Sequence, residues 1–319
     1  MRMRLRQAML AGGIAALCAF GAAGYAGESR DAHLKAAADA AGSDLKGILS
    51  ICDPRTGRRA PANANVTAEP VKVFDNLYFL GIPNVSAWAL TTSAGIVVLD
   101  ALDNAGEAQD YIEGGLRKLG LDPTQIKYVV ITHAHGDHYG GAQYLADKFH
   151  AHLVMSEIDW KVLEGPPRAN YPANWGPIPK RDMAVKDGDK LTLGDTTIEF
   201  YVTPPHTPGT VSIIMPLKDG NARHVGGEWG GTAFNFAPTP QNFATYAASA
   251  ERFAKIARDR GVDVPLSNHS SYDNAFEKIA ALKARKPGQP NPFVTGAQSE
   301  QRFLTVAAEC ARAMQAGGT

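Results

Sequence analysis

The run Thr132-His133-Ala134-His135-Gly136-Asp137-His138 constrains this chain more than any other stretch. It puts three imidazoles and one carboxylate into six consecutive positions, His133 to His138. Neutral imidazole nitrogen and carboxylate oxygen are the ligands that zinc and other borderline divalent metals take in open catalytic sites. A strand-like stretch, Ile126 to Thr132, leads into the run, and a helix-like one begins near Gly140. The run therefore belongs on a strand-to-helix loop, where a rigid sheet presents side chains at its rim. A polar loop with satisfied histidines is the bland alternative, but few structural constraints ask for His-x-His-x-Asp-His. The run reads as a metal site.

This motif resembles the signature of the metallo-β-lactamase superfamily. The resemblance asks for a further His on a later loop, a residue near a Gly-rich strand end, and a last His near the C-terminus. His206 in Thr203-Pro-Pro-His-Thr-Pro-Gly209 is similar to the family's G-H-T-P-G turn, and His269 in Leu266-Ser-Asn-His-Ser-Ser-Tyr272 takes the last position. Between them, Gly226-Gly-Glu-Trp-Gly-Gly231 stands in the place of the middle motif. The match spans residues 68–285 and implies an α/β fold, the αββα four-layer sandwich.

The resemblance also implies a ligand set. His133, His135 and His206 would hold one zinc, and Asp137, His138 and His269 a second, the pattern of the third subclass of metallo-β-lactamases. Glyoxalase-II-like and lactonase enzymes usually add a bridging Asp from the middle motif. Glu228 occupies that position here, and it is expected to bridge, to bind one metal, or to point away. Asp100, at the end of Ile96-Val-Val-Leu-Asp100, matches a family Asp that supports the ligands from behind, with a strand-end turn cap as the plain alternative. Asp137 is the expected catalytic residue, orienting zinc-activated water. Glu69 to Tyr78 and the stretch Pro290-Asn-Pro-Phe-Val294 also lean to the third subclass.

The N-terminus reads as a secretory signal over residues 1–26. Met1 to Arg6 is basic, Ala8 to Ala23 is apolar and rich in Ala and Gly, and small residues follow near Gly24 to Ala26. The apolar stretch is too short and Gly-rich for a comfortable span of about twenty residues. Leu17 before Cys18 is a poor lipoprotein signal, so a periplasmic or secreted enzyme is expected, with a retained anchor as runner-up. Removing the signal leaves Cys52 and Cys310 of the three cysteines. An even pair in an oxidising compartment reads as a disulfide, with two free buried thiols as the alternative.

Removing the signal also takes Arg2, Arg4 and Arg6 from 32 basic residues, leaving 29 against 32 acidic ones and a net charge near −3. No basic stripe interleaved with aromatics marks a nucleic-acid groove, which argues against the nuclease branches and against nucleic acid as a partner. Just under three hundred residues remain, enough for one large core. The chain divides into the signal at 1–26, an extension at 27–67, the metallo-β-lactamase-like domain at 68–285, and a helical extension at 286–319 packed on that domain. A monomer with no stable membrane span is expected, acting on a small molecule.

The pattern predicts helices at 30–50, 105–119, 140–149 and 241–260, and an irregular linker at 53–67. Strands are expected at 71–80, 85–92, 96–99, 126–132, 153–156, 211–216 and 223–225. His150 and His152 are expected at the surface, His224 in a strand, and His33 on the extension. Glu164 to Pro179, rich in proline and aromatics, reads as either a lid carrying Tyr171 and Trp175 over the substrate or a static packed loop. Asn268 and Ser270 flank His269 and are candidate substrate contacts. The leading expectation is an exported zinc-dependent hydrolase, with two zinc ions as cofactor, that opens β-lactam rings. A lactonase or thioesterase-like hydrolase of the same superfamily is the alternative. A non-catalytic metal-binding or sensory protein is the alternative of another class, against which a complete open ligand set argues.

Overall fold

Alternation along the strands sorts this chain into layers. In β4 (Gly95–Leu99), Val97 and Leu99 face one core while Ile96 and Val98 face another. In β10 (Val211–Asp219), Val211, Ile213, Met215 and Leu217 share a face and Ile214 turns to the opposite one. Successive strand side chains point to opposite faces, so two buried faces per sheet require cover on both sides. The computed structural model describes residues 28–53, 68–166 and 172–317.

Among these residues one sheet holds seven strands in the order β1 (Val71–Lys72), β2 (Leu77–Phe79), β3 (Trp88–Thr92), β4, β5 (Ile126–Val130), β6 (His152–Ser156) and β7 (Met183–Val185). The first four pair antiparallel, and β4 to β7 run parallel. The second sheet orders β12 (Val264–Ser267), β11 (Ala222–Trp229), β10, β9 (Thr196–Val202) and β8 (Lys190–Leu193), with β11 and β12 parallel. Between the sheets lies an apolar layer that includes Phe79, Trp88, Leu99, Phe200, Ile213 and Leu266. Helices cover both outer faces, giving the αββα sandwich of the metallo-β-lactamase fold.

On the outer face of the second sheet, the helix Ala297–Ala316 packs against Arg30–Ala41 and Pro240–Arg260. A disulfide joins Cys52 to Cys310, tying the segment before residue 53 to this last helix. No helix among the described residues is long and apolar enough to cross a membrane. The signal expected at 1–26 and most of the 53–67 linker lie outside the described residues.

The helix expected at 30–50 breaks at Gly42, with a short second helix at Lys46–Leu49, the strand expected at 85–92 begins at Trp88, and three further elements differ from expectation. The strand expected at 71–80 is a tight hairpin, β1 and β2, because Asp75 and Asn76 turn the chain between them. The helix at 105–119 widens over Ala108–Glu113 to i→i+5 hydrogen bonding. The strand expected at 223–225 runs on to Trp229, so Glu228 lies inside β11 and not on a loop.

Candidate metal centre

Asp100 organises the approach to the site. It leaves β4 in the left-handed region (φ 59°), a conformation that Asp tolerates better than most residues. Its buried carboxylate accepts from Thr132 N at 2.8 Å and Thr132 Oγ1 at 2.9 Å, fixing the start of the histidine run. It also receives His138 Nδ1 at 2.7 Å. The run itself is less loop-like than expected. His133 to His135 leave the end of β5, and Gly136–Tyr139 forms a helical turn carrying Asp137 and His138. Gly136 is required there, since a Cβ would stand 2.3 Å from the Trp175 ring.

The other two histidines arrive from the second sheet. His206 lies on the turn between β9 and β10, and His269 lies just beyond β12. The structure gathers ligand atoms of His133, His135 and His206 within 4.8 Å of one another, and does the same for His133, Asp137 and His138. His269 Nε2 stands 3.3 Å from His138 Nε2 and 3.8 Å from Asp137 Oδ2. All six expected ligands therefore meet at one end of the two sheets, where the parallel strands β5 and β12 end.

Tautomers follow from the partners. His133 Nδ1 faces the carbonyl of Gly230 at 3.0 Å, His206 Nδ1 that of Ala233 at 2.6 Å, and His269 Nδ1 that of Asn84 at 2.6 Å. A carbonyl only accepts, so each of these Nδ1 atoms donates, and a neutral ring then carries its lone pair on Nε2. Burial, reinforced by neighbouring imidazoles, lowers the pKa of His133 and His206 well below the ordinary value and keeps them neutral. His133 Nε2 and His206 Nε2 nevertheless lie 3.0 Å apart, lone pair to lone pair. That arrangement is repulsive by itself and favourable around a cation, and the buried Asp137 Oδ1 beside it has no hydrogen-bond partner. The donor set fits a divalent metal.

His138 completes the argument. Burial opposes its protonation, but the Asp100 and Asp137 carboxylates outweigh burial and push its pKa up to about 9. Without a metal its Nε2 holds a proton towards His269, the position a cation would take over. For Asp137, burial works against ionisation, and His138, His269 and His135 overcome it, so its pKa falls below the usual carboxylate range.

The remaining candidates fall in different places. Glu228 joins neither ligand group. It pairs with Ile213 and Leu266, both in the layer between the sheets, and residues directly opposite in a sheet share a face. Its carboxyl thus points into that layer, where burial first, then Asp100 and Asp273, raise its pKa well above normal. Asn268 and Ser270 are fully buried. Asn268 Nδ2 donates to the Gly230 carbonyl at 2.6 Å, and Ser270 Oγ to that of Pro83 at 2.8 Å. Trp175 stacks over His135 at 6.1 Å, while Tyr171 lies outside the described residues. His152 is exposed on Asp182, and His224 lies in β11 on Asp263.

Beside His206 a cavity of about 470 Å³ opens between Pro204–Pro205 and Asn235–Ala237, a size suited to a small molecule. Sequence reasoning missed Asp159, a buried carboxylate bonded to both ligand segments. Its only local signal, Ser156-x-x-Asp159, reads as an ordinary helix cap.

Fold and site together define a metallo-hydrolase-like centre at the edge of an αββα sandwich. Residues 80–219 match the sequence model of the Metallo-beta-lactamase superfamily. BJP-1, a subclass B3 metallo-β-lactamase of Bradyrhizobium japonicum, has a similar structure with a TM-score of 0.60 and 28% identity, over 82% of this chain and 95% of that one. A hydroxyacylglutathione hydrolase of Acidiphilium cryptum (strain JF-5) is 26% identical over 242 residues, 67% of this chain and 87% of that protein. An uncharacterized protein of Bacillus subtilis (strain 168), YobT, is 38% identical over 96 residues, so this chain spans 41% of its length.

Proposed function

We propose that this chain is an exported, zinc-dependent hydrolase that opens β-lactam rings. His133, His135 and His206 would hold one ion, and Asp137, His138 and His269 a second. A bound zinc pair supplies Lewis acidity and lowers the pKa of water. The protein's own contribution is to present neutral Nε2 atoms whose rings are fixed by carbonyl acceptors. Asp137 Oδ1, buried without a partner, is placed to accept a proton from attacking water.

The observation that carries the β-lactam reading is the orientation of Glu228. A carboxylate turned into the apolar layer leaves the bridging position of thioesterase-like relatives unfilled. The structural likeness to BJP-1 supports the same reading. A second reading, hydrolysis of a thioester or lactone, is favoured by the match over most of a hydroxyacylglutathione hydrolase. Export rests on the basic and apolar N-terminus, and the Cys52–Cys310 disulfide supports it, since such bonds persist in oxidising compartments.

The test is turnover by the purified zinc-loaded protein of a chromogenic cephalosporin, a carbapenem, a hydroxyacyl-glutathione thioester and a simple lactone, each with a chelator control. Chelator-sensitive kcat/KM of about 10⁴ M⁻¹s⁻¹ or more on the β-lactams is expected. Efficient turnover of the thioester or lactone alone would replace the first reading by the second, and bound zinc with no turnover of any substrate would favour a sensory role.

A further inference from the structure

Asp159 lies on the first turn of the helix Glu157–Glu164, whose cap, Ser156 Oγ, accepts from Asp159 N at 3.0 Å. Its side chain is fully buried and does not return to that cap. Oδ2 accepts from Ala134 N at 2.9 Å and from Thr207 Oγ1 at 2.5 Å, and Oδ1 accepts from Gly209 N at 2.8 Å. Ala134 stands between His133 and His135, and Thr207 directly follows His206. One carboxylate therefore clasps both segments that carry the three-histidine group, one from each sheet.

The turn has been cut to fit. A Cβ at Gly209 would stand 2.3 Å from Ser156 Oγ and 2.6 Å from Asp159 N, so only Gly lets the His206 turn approach this closely. The turn also closes on itself, through Thr207 N donating to Thr210 Oγ1 at 2.9 Å. The β10 strand that follows is tied back to Thr132, with Val211 N donating to its carbonyl at 2.9 Å.

We infer that Asp159 is a positioning residue, which holds the His133–His135 segment and the His206 turn at the separation that a bound metal requires. This rests on the reading of those histidines as metal ligands. Ring orientation is already set by the carbonyl acceptors of His133 and His206. The Asp159 carboxylate bonds the two segments directly, beside the Val211 N to Thr132 carbonyl bond, and does so next to the ligands themselves. Groups behind the ligands commonly act this way, and losing one typically weakens metal binding about 10- to 100-fold.

Asp159→Asn keeps the shape but replaces an acceptor with an amide NH2, which then faces at least one of the N–H or O–H donors. The full chain would be tested by zinc affinity through chelator competition, by the visible spectrum of the cobalt(II)-substituted protein, and by melting of the metal-free protein. Zinc binding weaker by about 10-fold or more, with shifted cobalt bands, is expected. A lowered melting temperature with unchanged zinc affinity and cobalt spectrum would overturn the inference and leave Asp159 a purely structural clasp. Thr207→Val, which deletes a single donor, is expected to weaken zinc binding severalfold, and decides the matter if the Asn variant does not fold. Wild-type protein that binds neither zinc nor cobalt would sink the metal-site reading itself. Wild-type protein that binds normally, alongside variants that bind equally well, would sink the Asp159 assignment alone.

Discussion

Replacing Glu228 with Met separates the two orientations of this side chain. Glu228 sits in the interior of β11, opposite Ile213 on one side and Leu266 on the other, and both neighbours belong to the apolar layer between the sheets. It is about 1% exposed, and its Oε2 has no hydrogen-bond partner. Leaving a buried polar atom unsatisfied costs about 1–3 kcal/mol, and Met of similar length removes that cost. At roughly 0.6 kcal/mol per degree for a chain of this size, the variant should melt about 2–5 °C higher.

The gain should grow with pH. Burial raises the folded-state pKa of Glu228 above its unfolded value near 4.5, so the folded chain binds the extra proton. Unfolding then releases a proton at any pH between the two values, and the parent loses stability as pH rises through that window. Met binds no proton and is spared the loss. The assay is thermal melting at pH 5 and pH 8, with zinc per chain measured on the same samples. Unchanged zinc and a larger gain at pH 8 are expected. Loss of a metal equivalent, or a fall in melting temperature at both pH values, would refute the argument, because it would mean that the carboxylate reaches the metal centre.

Asp100→Asn leaves one carbonyl oxygen for three donors, Thr132 N, Thr132 Oγ1 and His138 Nδ1, so at least one of them must face an NH2; metal titration should show binding weakened about 10- to 100-fold. Cys52→Ala with Cys310→Ala opens a loop of 258 residues. The chain-entropy limit for such a loop is about 5–6 kcal/mol, and a drop of several degrees in melting temperature is expected, whereas no shift would mean that packing on the last helix alone holds the segment. Burial pushes Glu300 up to about 8 against the opposing pull of Lys278. Folding stability should therefore fall between pH 4.5 and 8 by an amount on the order of a few kcal/mol, and Glu300→Gln should flatten that slope in denaturant titrations.

The ligands were legible because metal chemistry restricts residue type. Only a few side chains offer a neutral nitrogen or a carboxylate oxygen, so His133 to His138 declare themselves, and the apolar run into Thr132 gives the strand that carries them. The groups that orient those ligands are a different case. Gly230, Ala233 and Asn84 act through backbone carbonyls, which every residue possesses, and no side-chain pattern marks them. Asp159 is disguised by its own neighbourhood, since Ser156-x-x-Asp159 is an unremarkable helix start until the carboxylate is seen to turn away from it. Glu228 hides for a third reason. Alternation separates Val225 and Trp229 from Glu228, but it does not say which face meets the seven-stranded sheet, and the glycines at 226 and 227 remove the side chains that would have. The burial of Asn268 and Ser270 is hidden on the same ground: adjacency to His269 fixes their sequence position, while the Pro83 carbonyl that receives Ser270 Oγ comes from a distant part of the chain. Sequence thus carries the identity of a metal centre well and its geometry poorly, because identity depends on which atoms are present and geometry on which backbone happens to stand behind them.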